Sequence, residues 1–333
     1  MPTHLQFSTA IYRFGHSMIS PQLQMSFDGL TAMSNMSLAD SFFDPDIYLS
    51  NPYTTDMLLG GLMLQEAQKV DTKIIDNLRM FLFEAPSANG CLDLAALNIQ
   101  RGRDHGIPLY NDLRVHMGLT KKMAFDEITF DNNVQNQLAA VYTSVDDVEA
   151  WVGALAENHI IGGNVGELLA HVMRDQFERL MFGDPFFWLG DTDLQDAELK
   201  QFIMDIDSIT LAKIIDLNTI LDRDPSFSAF IKNEGGQADD FPLTSNRTID
   251  GSDRPDGKGE AETPLMRMSY DKMTYTDGVG DMMTGAPNPR MITSTLMTQD
   301  PAVSMENDRF LTDMVWQWGQ VGACAGCFQY PAL

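Results

Sequence analysis

Apolar residues recur at helical spacing from Phe7 to about Ile231, and near Lys232 that recurrence stops. A chain with one long stretch of this periodicity must bury helix faces against helix faces, because the short alternating runs that build sheets are scarce. Tyr12, His16 and Ile19 fall on one helical stripe, and Ile74, Ile75, Leu78, Phe81 and Leu82 on a longer one. Val165, Leu168, Leu169, Val172, Phe177, Leu180 and Met181 mark a third, after Gly162-Gly163-Asn164, where Asn164 is the expected N-cap. Asp44-Pro45, Asn51-Pro52 and Gly183-Asp184-Pro185 punctuate the loops. From Asn233 to about Pro289 the chain is rich in Gly, Asp, Ser, Thr and Pro. Helical spacing returns between Arg309 and Gln320, at Phe310, Leu311, Met314, Val315 and Trp318. The expected class is mainly α, with a loop-rich acidic C-terminal segment.

With 333 residues, 44% of them hydrophobic, the chain can bury one large core or two smaller ones. Its formal net charge of −25 repels phosphate backbones and anionic lipid, which argues against nucleic-acid and membrane-surface binding. No apolar run is long enough to span a bilayer, and the first sixteen residues lack the basic and apolar regions of a signal peptide. Cys91, Cys324 and Cys327 are too few for a disulfide scaffold. Cys324 and Cys327 form a CxxC with no second pair, a weak sign of a metal or redox site.

Three groups of residues have the composition of a chemical site. Arg13 and His16 lie three apart in TAIYRFGHSMIS, on one helix face. An imidazole that ligates haem iron would place such a cation within reach of a propionate, although a histidine on a partly apolar helix is more often a core residue. Asn98 and Arg101 are again three apart in NIQRGRDHG. An amide can accept the second ring proton of a ligating histidine and fix its orientation. The same stretch also reads as a charged helix-to-loop corner, with His105 structural in either case. In Trp316-Gln317-Trp318-Gly319-Gln320 the tryptophans cannot share a helix face, and Gln320 could donate to a small polar ligand.

Taken together these residues resemble the animal-type haem peroxidase family. YRFGHSMIS is similar to the family's proximal helix, which implies that His16 is the axial ligand to haem iron. ALNIQRGRDHGIPLYNDLR, residues 96 to 114, resembles its most distinctive stretch. The resemblance implies that Asn98 holds the proximal histidine and that Arg13 and Arg101 face the haem propionates. VDDVEAWVGALAENH and DQFERLMFGDPFFW continue it, to about residue 222. The implied activity is reduction of hydrogen peroxide coupled to oxidation of a halide or small organic donor, in an extracellular setting and with a link to oxidative stress. Calcium belongs to many complete members of the family, but no site for it is assigned here.

The departures from the family matter as much. Its peroxide-side half comes before the proximal helix and carries a WGQ-x-x-DH motif and a catalytic arginine. Here NRTIDGSDRPDGKGEAETPLMRM and PNPRMITSTLMTQD resemble the opening of bacterial members, and RFLTDMVWQWGQ resembles the approach to the peroxide site. Gln320 therefore matches the distal glutamine, with Ala323 where the haem-linking aspartate belongs and Cys324 where the distal histidine belongs. The expected organisation is a proximal-haem half at 1–232, a linker at 233–252 and the start of a second peroxidase domain at 253–333. Other peroxidase domains of a larger chain would then be its partners. A circular permutation, with the last ninety or so residues packed on the first half, is the alternative arrangement. The alternative functions are a haem-binding remnant without turnover and an acidic structural module.

Overall fold

The computed structural model describes residues 4–28, 31–41, 44–49, 51–80, 93–187, 209–221, 229–230 and 286–299. Twelve α-helices are labelled in chain order among them. The first five are α1 (Leu5–Thr9), α2 (Leu38–Ser41), α3 (Asp46–Leu49), α4 (Thr54–Leu64) and α5 (Asp76–Arg79). Next come α6 (Leu94–Asp104), α7 (Tyr110–His116), α8 (Asn132–Val141), α9 (Ala150–Ala156) and α10 (Glu167–Gly183). The last two are α11 (Leu211–Asn218) and α12 (Pro289–Leu296). Helices packed on helices bear out the mainly α expectation. The core runs through α6, α7, α9 and the first turns of α10, where Ile99, Tyr110, Leu113, Trp151, Leu168 and Leu169 are buried.

A two-stranded antiparallel sheet pairs β1 (Gln22–Met25) with β2 (Ser34–Ser37) in the register Leu23↔Met36. Leu23 and Met25 alternate with Gln22 and Gln24 in β1, but β2 (Ser34–Ser37) has one apolar residue and shows no such alternation. The hairpin is held by α4. Gln65, at the end of that helix, accepts from Gln24 N at 2.8 Å and donates to the Gln22 carbonyl at 2.8 Å. Ser26 N donates to the Met57 carbonyl at 2.8 Å. The helix approaches so closely because Gly60 and Gly61 carry no Cβ; one added at Gly61 would run into the Gln24 carbonyl. Gly61→Ala is therefore expected to destabilise the fold by about 3 kcal/mol, since backbone rather than a flexible side chain must move. Chemical denaturation measures the loss, and an unchanged midpoint would refute this packing.

Several local expectations need correction. Ile11–Met18 is a 3-10 helix, which puts positions three apart in line, so Arg13 and His16 share a side while Tyr12 turns away. Tyr12 stacks on Phe7 at 4.7 Å between ring centres and meets Phe177 edge-on at 6.0 Å. The stripe at 74–82 yields only the four-residue α5, with Ile74, Ile75 and Leu78 buried; Phe81 and Leu82 lie outside the described residues. Asn164 does not cap α10, whose N-cap is Gly166. A distant carboxylate takes over that task, because Glu157 Oε2 accepts from Leu168 N at 2.7 Å.

At the far end of the sequence, α12 lies against α6 and α8. Asn288 caps it by accepting from Arg290 N at 2.8 Å, and Pro289 opens its first turn. The helix expected between Arg309 and Gln320 lies outside the described residues.

Candidate functional site

α6 carries Asn98 into the interior because its start and end are both fixed. Asp93 caps the start by accepting from Ala96 N at 3.0 Å. At the other end Gly106 takes φ of 61°, a left-handed conformation that suits glycine, and Ile107 N returns to the Gly102 carbonyl at 2.8 Å. His105 folds its ring back on the Arg101 carbonyl at 2.9 Å, the structural role expected for it. Between these ends Asn98 is almost wholly buried.

The 3-10 helix brings His16 and Arg13 to the same amide, although His16 and Asn98 are 82 residues apart in sequence. Asn98 Nδ2 stands 2.7 Å from His16 Nδ1, and Arg13 Nη1 donates to Asn98 Oδ1 at 3.1 Å. Burial first, then the neighbouring Arg13 charge, lower the His16 pKa to about 4. The imidazole is therefore neutral at physiological pH, which is the form that binds a metal. Its Nδ1 is engaged by Asn98, so Nε2 is the ring atom left for ligation. Arg101 follows one turn after Asn98 on α6, with its side chain exposed. Gln320, like Ala323, Cys324 and Cys327, lies outside the described residues.

One detail departs from the expected hydrogen bonding. The amide nitrogen, not the oxygen, faces the imidazole, because Arg13 already occupies Oδ1. For His16 to offer an unprotonated Nε2, its ring proton must sit on Nδ1 and meet an acceptor. A half-turn of the Asn98 amide supplies that acceptor and releases Arg13 from Oδ1.

The residues present fit a haem group. The donor set is a single neutral imidazole with a tautomer-fixing amide and two arginines, the chemistry suited to one axial position and two carboxylates. Gly15 and Gly102 also leave the backbone uncovered beside His16 and Arg101, since a Cβ at either would meet nothing within 4 Å. Among the described residues no group of three or more His, Cys, Asp or Glu is placed to hold a free metal ion. No helix among them is long and apolar enough to cross a membrane.

A family model for the animal haem peroxidases matches residues 3–229. The chain belongs to this family. It is 35% identical over 214 residues to peroxinectin A of Dictyostelium discoideum, covering 64% of this chain and 38% of that protein. It is 35% identical over 211 residues to chorion peroxidase of Drosophila melanogaster, covering 63% of this chain and 26% of that protein. The solved structure of peroxidase A from Dictyostelium discoideum aligns with a TM-score of 0.57 at 35% identity, over 65% of this chain and 40% of that one. This animal haem peroxidase chain thus has the family's helical fold and spans about two fifths or less of those relatives.

Two buried ion-pair groups frame the site, and sequence reading assigned them no role. Arg103 of α6 donates to Glu149, which also accepts from the Tyr142 hydroxyl. Arg114 of α7 pairs with Glu157, which also accepts from the Tyr110 hydroxyl at 2.7 Å, and with Glu167 at 2.6 Å. Burial, then the charge of its glutamate, pushes each of these tyrosine hydroxyls up, so both remain donors. Both glutamates lie in the 145–159 stretch, but nothing in its spacing identifies their partners.

Proposed function

We propose that this chain supplies the iron-ligating side of a haem-dependent peroxidase, which reduces hydrogen peroxide and oxidises a halide or small organic donor. The observation that carries the reading is the convergence of His16, Asn98 and Arg13, from two distant parts of the sequence, into one hydrogen-bonded group. Haem bound there supplies the redox centre at which peroxide is reduced. His16 would ligate the iron through Nε2, with the Asn98 amide turned so that its oxygen accepts the ring proton at Nδ1. Arg13 and Arg101 pair with the propionates. On the peroxide side, Gln320 is assigned to hydrogen-bond the small ligand. Proton transfer between the peroxide oxygens needs a general base, and an arginine would stabilise the charge that develops. Ala323 and Cys324 occupy the positions at which the family pattern has an aspartate and a histidine. Neither residue supplies the carboxylate or the imidazole of that pattern, so no general base is assigned to these positions. An extracellular site of action belongs to the same proposal, and the strongly acidic composition is compatible with it.

The test is haem titration of the full chain, followed by peroxide-dependent oxidation of a chromogenic donor. Asn98→Ala is expected to weaken haem binding about 10- to 100-fold, as loss of an outer partner of a metal-ligating histidine does. Equal affinity in the variant would contradict the assigned role of Asn98. Haem binding by the wild type with no donor oxidation above free haem would leave a haem-binding protein in place of a peroxidase.

A further inference from the structure

The segment 286–299 lies outside the residues that match the family, yet four of its side chains are among the most completely buried of the described residues. Ile292, Thr293, Leu296 and Met297 are each 0% exposed. Groups of the first half receive it, among them the Thr72 hydroxyl, which donates to the Leu296 carbonyl at 3.5 Å. Ile74 N donates to the Met297 carbonyl at 3.1 Å, and Gln299 donates to Gln68 at 3.2 Å. Lys73 Nζ donates to the Leu296 carbonyl at 2.7 Å, placing a cation at the C-terminal end of α12, where the helix dipole favours one. Another is Asp93. Its Oδ1 caps α6 through Ala96 N, and its Oδ2 accepts from Thr293 Oγ1 at 2.6 Å. The Arg290 carbonyl, at 3.2 Å, is the local alternative acceptor for that hydroxyl.

We infer that residues 286–299 form a strap that docks on the haem-bearing half of the same chain and, through Thr293 and Asp93, positions the helix that carries Asn98. Asp93 is the joint between the two. With one carboxylate oxygen fixed by Thr293, the other is held at the first turn of α6, and Asn98 follows little more than a turn later. Thr293 is thus a positioning residue for the His16 site, although it touches neither His16 nor Asn98. The strap comes from its own chain because tethering through residues 231–285 gives it an effective concentration on the order of mM, far above that of a second copy at micromolar protein. For these fourteen residues the arrangement is the permuted one, in which the distant end of the sequence completes the first half.

The experiment is hydrogen–deuterium exchange of the full haem-free chain, in wild type, Thr293→Val, Thr293→Ser and Ile292→Asp. Side-chain 15N signals of His16 are recorded on the same samples. Wild-type amides of 290–297 should be protected, to the same degree at low and high protein concentration. Thr293→Val should speed exchange of the Ala96–Arg101 amides about tenfold, the effect of losing one buried hydrogen bond to a charged acceptor, and should shift the His16 signals. Thr293→Ser should restore both. Ile292→Asp should release the strap and the start of α6 together. If that variant fails to fold, the Val and Ser pair still decides the question. Strap amides that exchange at unstructured rates in the wild type would overturn the inference. So would α6 exchange or His16 signals that ignore Thr293→Val, or protection that appears only at concentrations where light scattering shows a dimer. Because no haem is present, these outcomes stand apart from the success or failure of the haem assignment.

Discussion

Replacing Arg114 with methionine is expected to lower the unfolding free energy by about 3–5 kcal/mol, the usual result of breaking a buried ion pair from one side. The side chain is almost fully enclosed, and each of its three guanidinium nitrogens donates. Nε donates to the Thr120 carbonyl at 2.8 Å, Nη1 donates to Glu157 and Nη2 to Glu167. Methionine fills much of the space but leaves the Glu157 carboxylate buried with only neutral donors, Tyr110 and the Leu168 amide. Glu157→Gln placed on top of Arg114→Met should recover part of the loss, because the buried charge is then gone. Denaturant midpoints of the two single variants and the double variant give the coupling between them. Additive losses would mean that the two side chains are not an interacting pair.

Glu149→Ala is expected to cost a similar amount, about 3–5 kcal/mol, and its effect should reach the haem site. Glu149 collects the Arg103 guanidinium and the Tyr142 hydroxyl, so its removal strands one buried cation and one buried donor. Arg103 belongs to α6, the helix of Asn98. Glu149 immediately precedes α9, which packs on the 3-10 helix of His16. The Arg103–Glu149 pair therefore joins the helix of Asn98 to α9, and α9 in turn packs on the 3-10 helix of His16. Thermal denaturation of the haem-free chain should show the loss of stability, and the haem-loaded variant should release haem faster than wild type. Unchanged stability would show that the pair adds nothing to the fold. A stability loss with unchanged haem release would confine it to the core.

What could be read from the sequence was whatever depends on near neighbours. Arg13 and His16, and likewise Asn98 and Arg101, sit at a spacing that any helix of this kind places on one side, and the apolar stripe of α10 marks its buried first turns. The elements that escaped reading depend on distant partners. β2 pairs with β1, and β1 lies under α4, whose Gly60 and Gly61 meet the backbone of Gln24 to Ser26. The start of α10 needs no local cap because Glu157 reaches it from outside the helix. Arg103 and Glu149 are 46 residues apart, and Arg114 and Glu157 are 43 apart. A buried charge announces that it has a partner but not which one. The 289–296 helix was legible in principle from Asn288, Pro289 and its apolar spacing, but its seat beside Asp93 was not.

Whether His16 ligates haem iron is read most simply from the absorption spectrum of the full chain reconstituted with haem, in wild type and His16→Ala. The wild type should show a Soret band that responds to hydrogen peroxide, and in His16→Ala that band should be lost or replaced by the spectrum of loosely held haem. Identical bands in the two proteins would contradict ligation by His16.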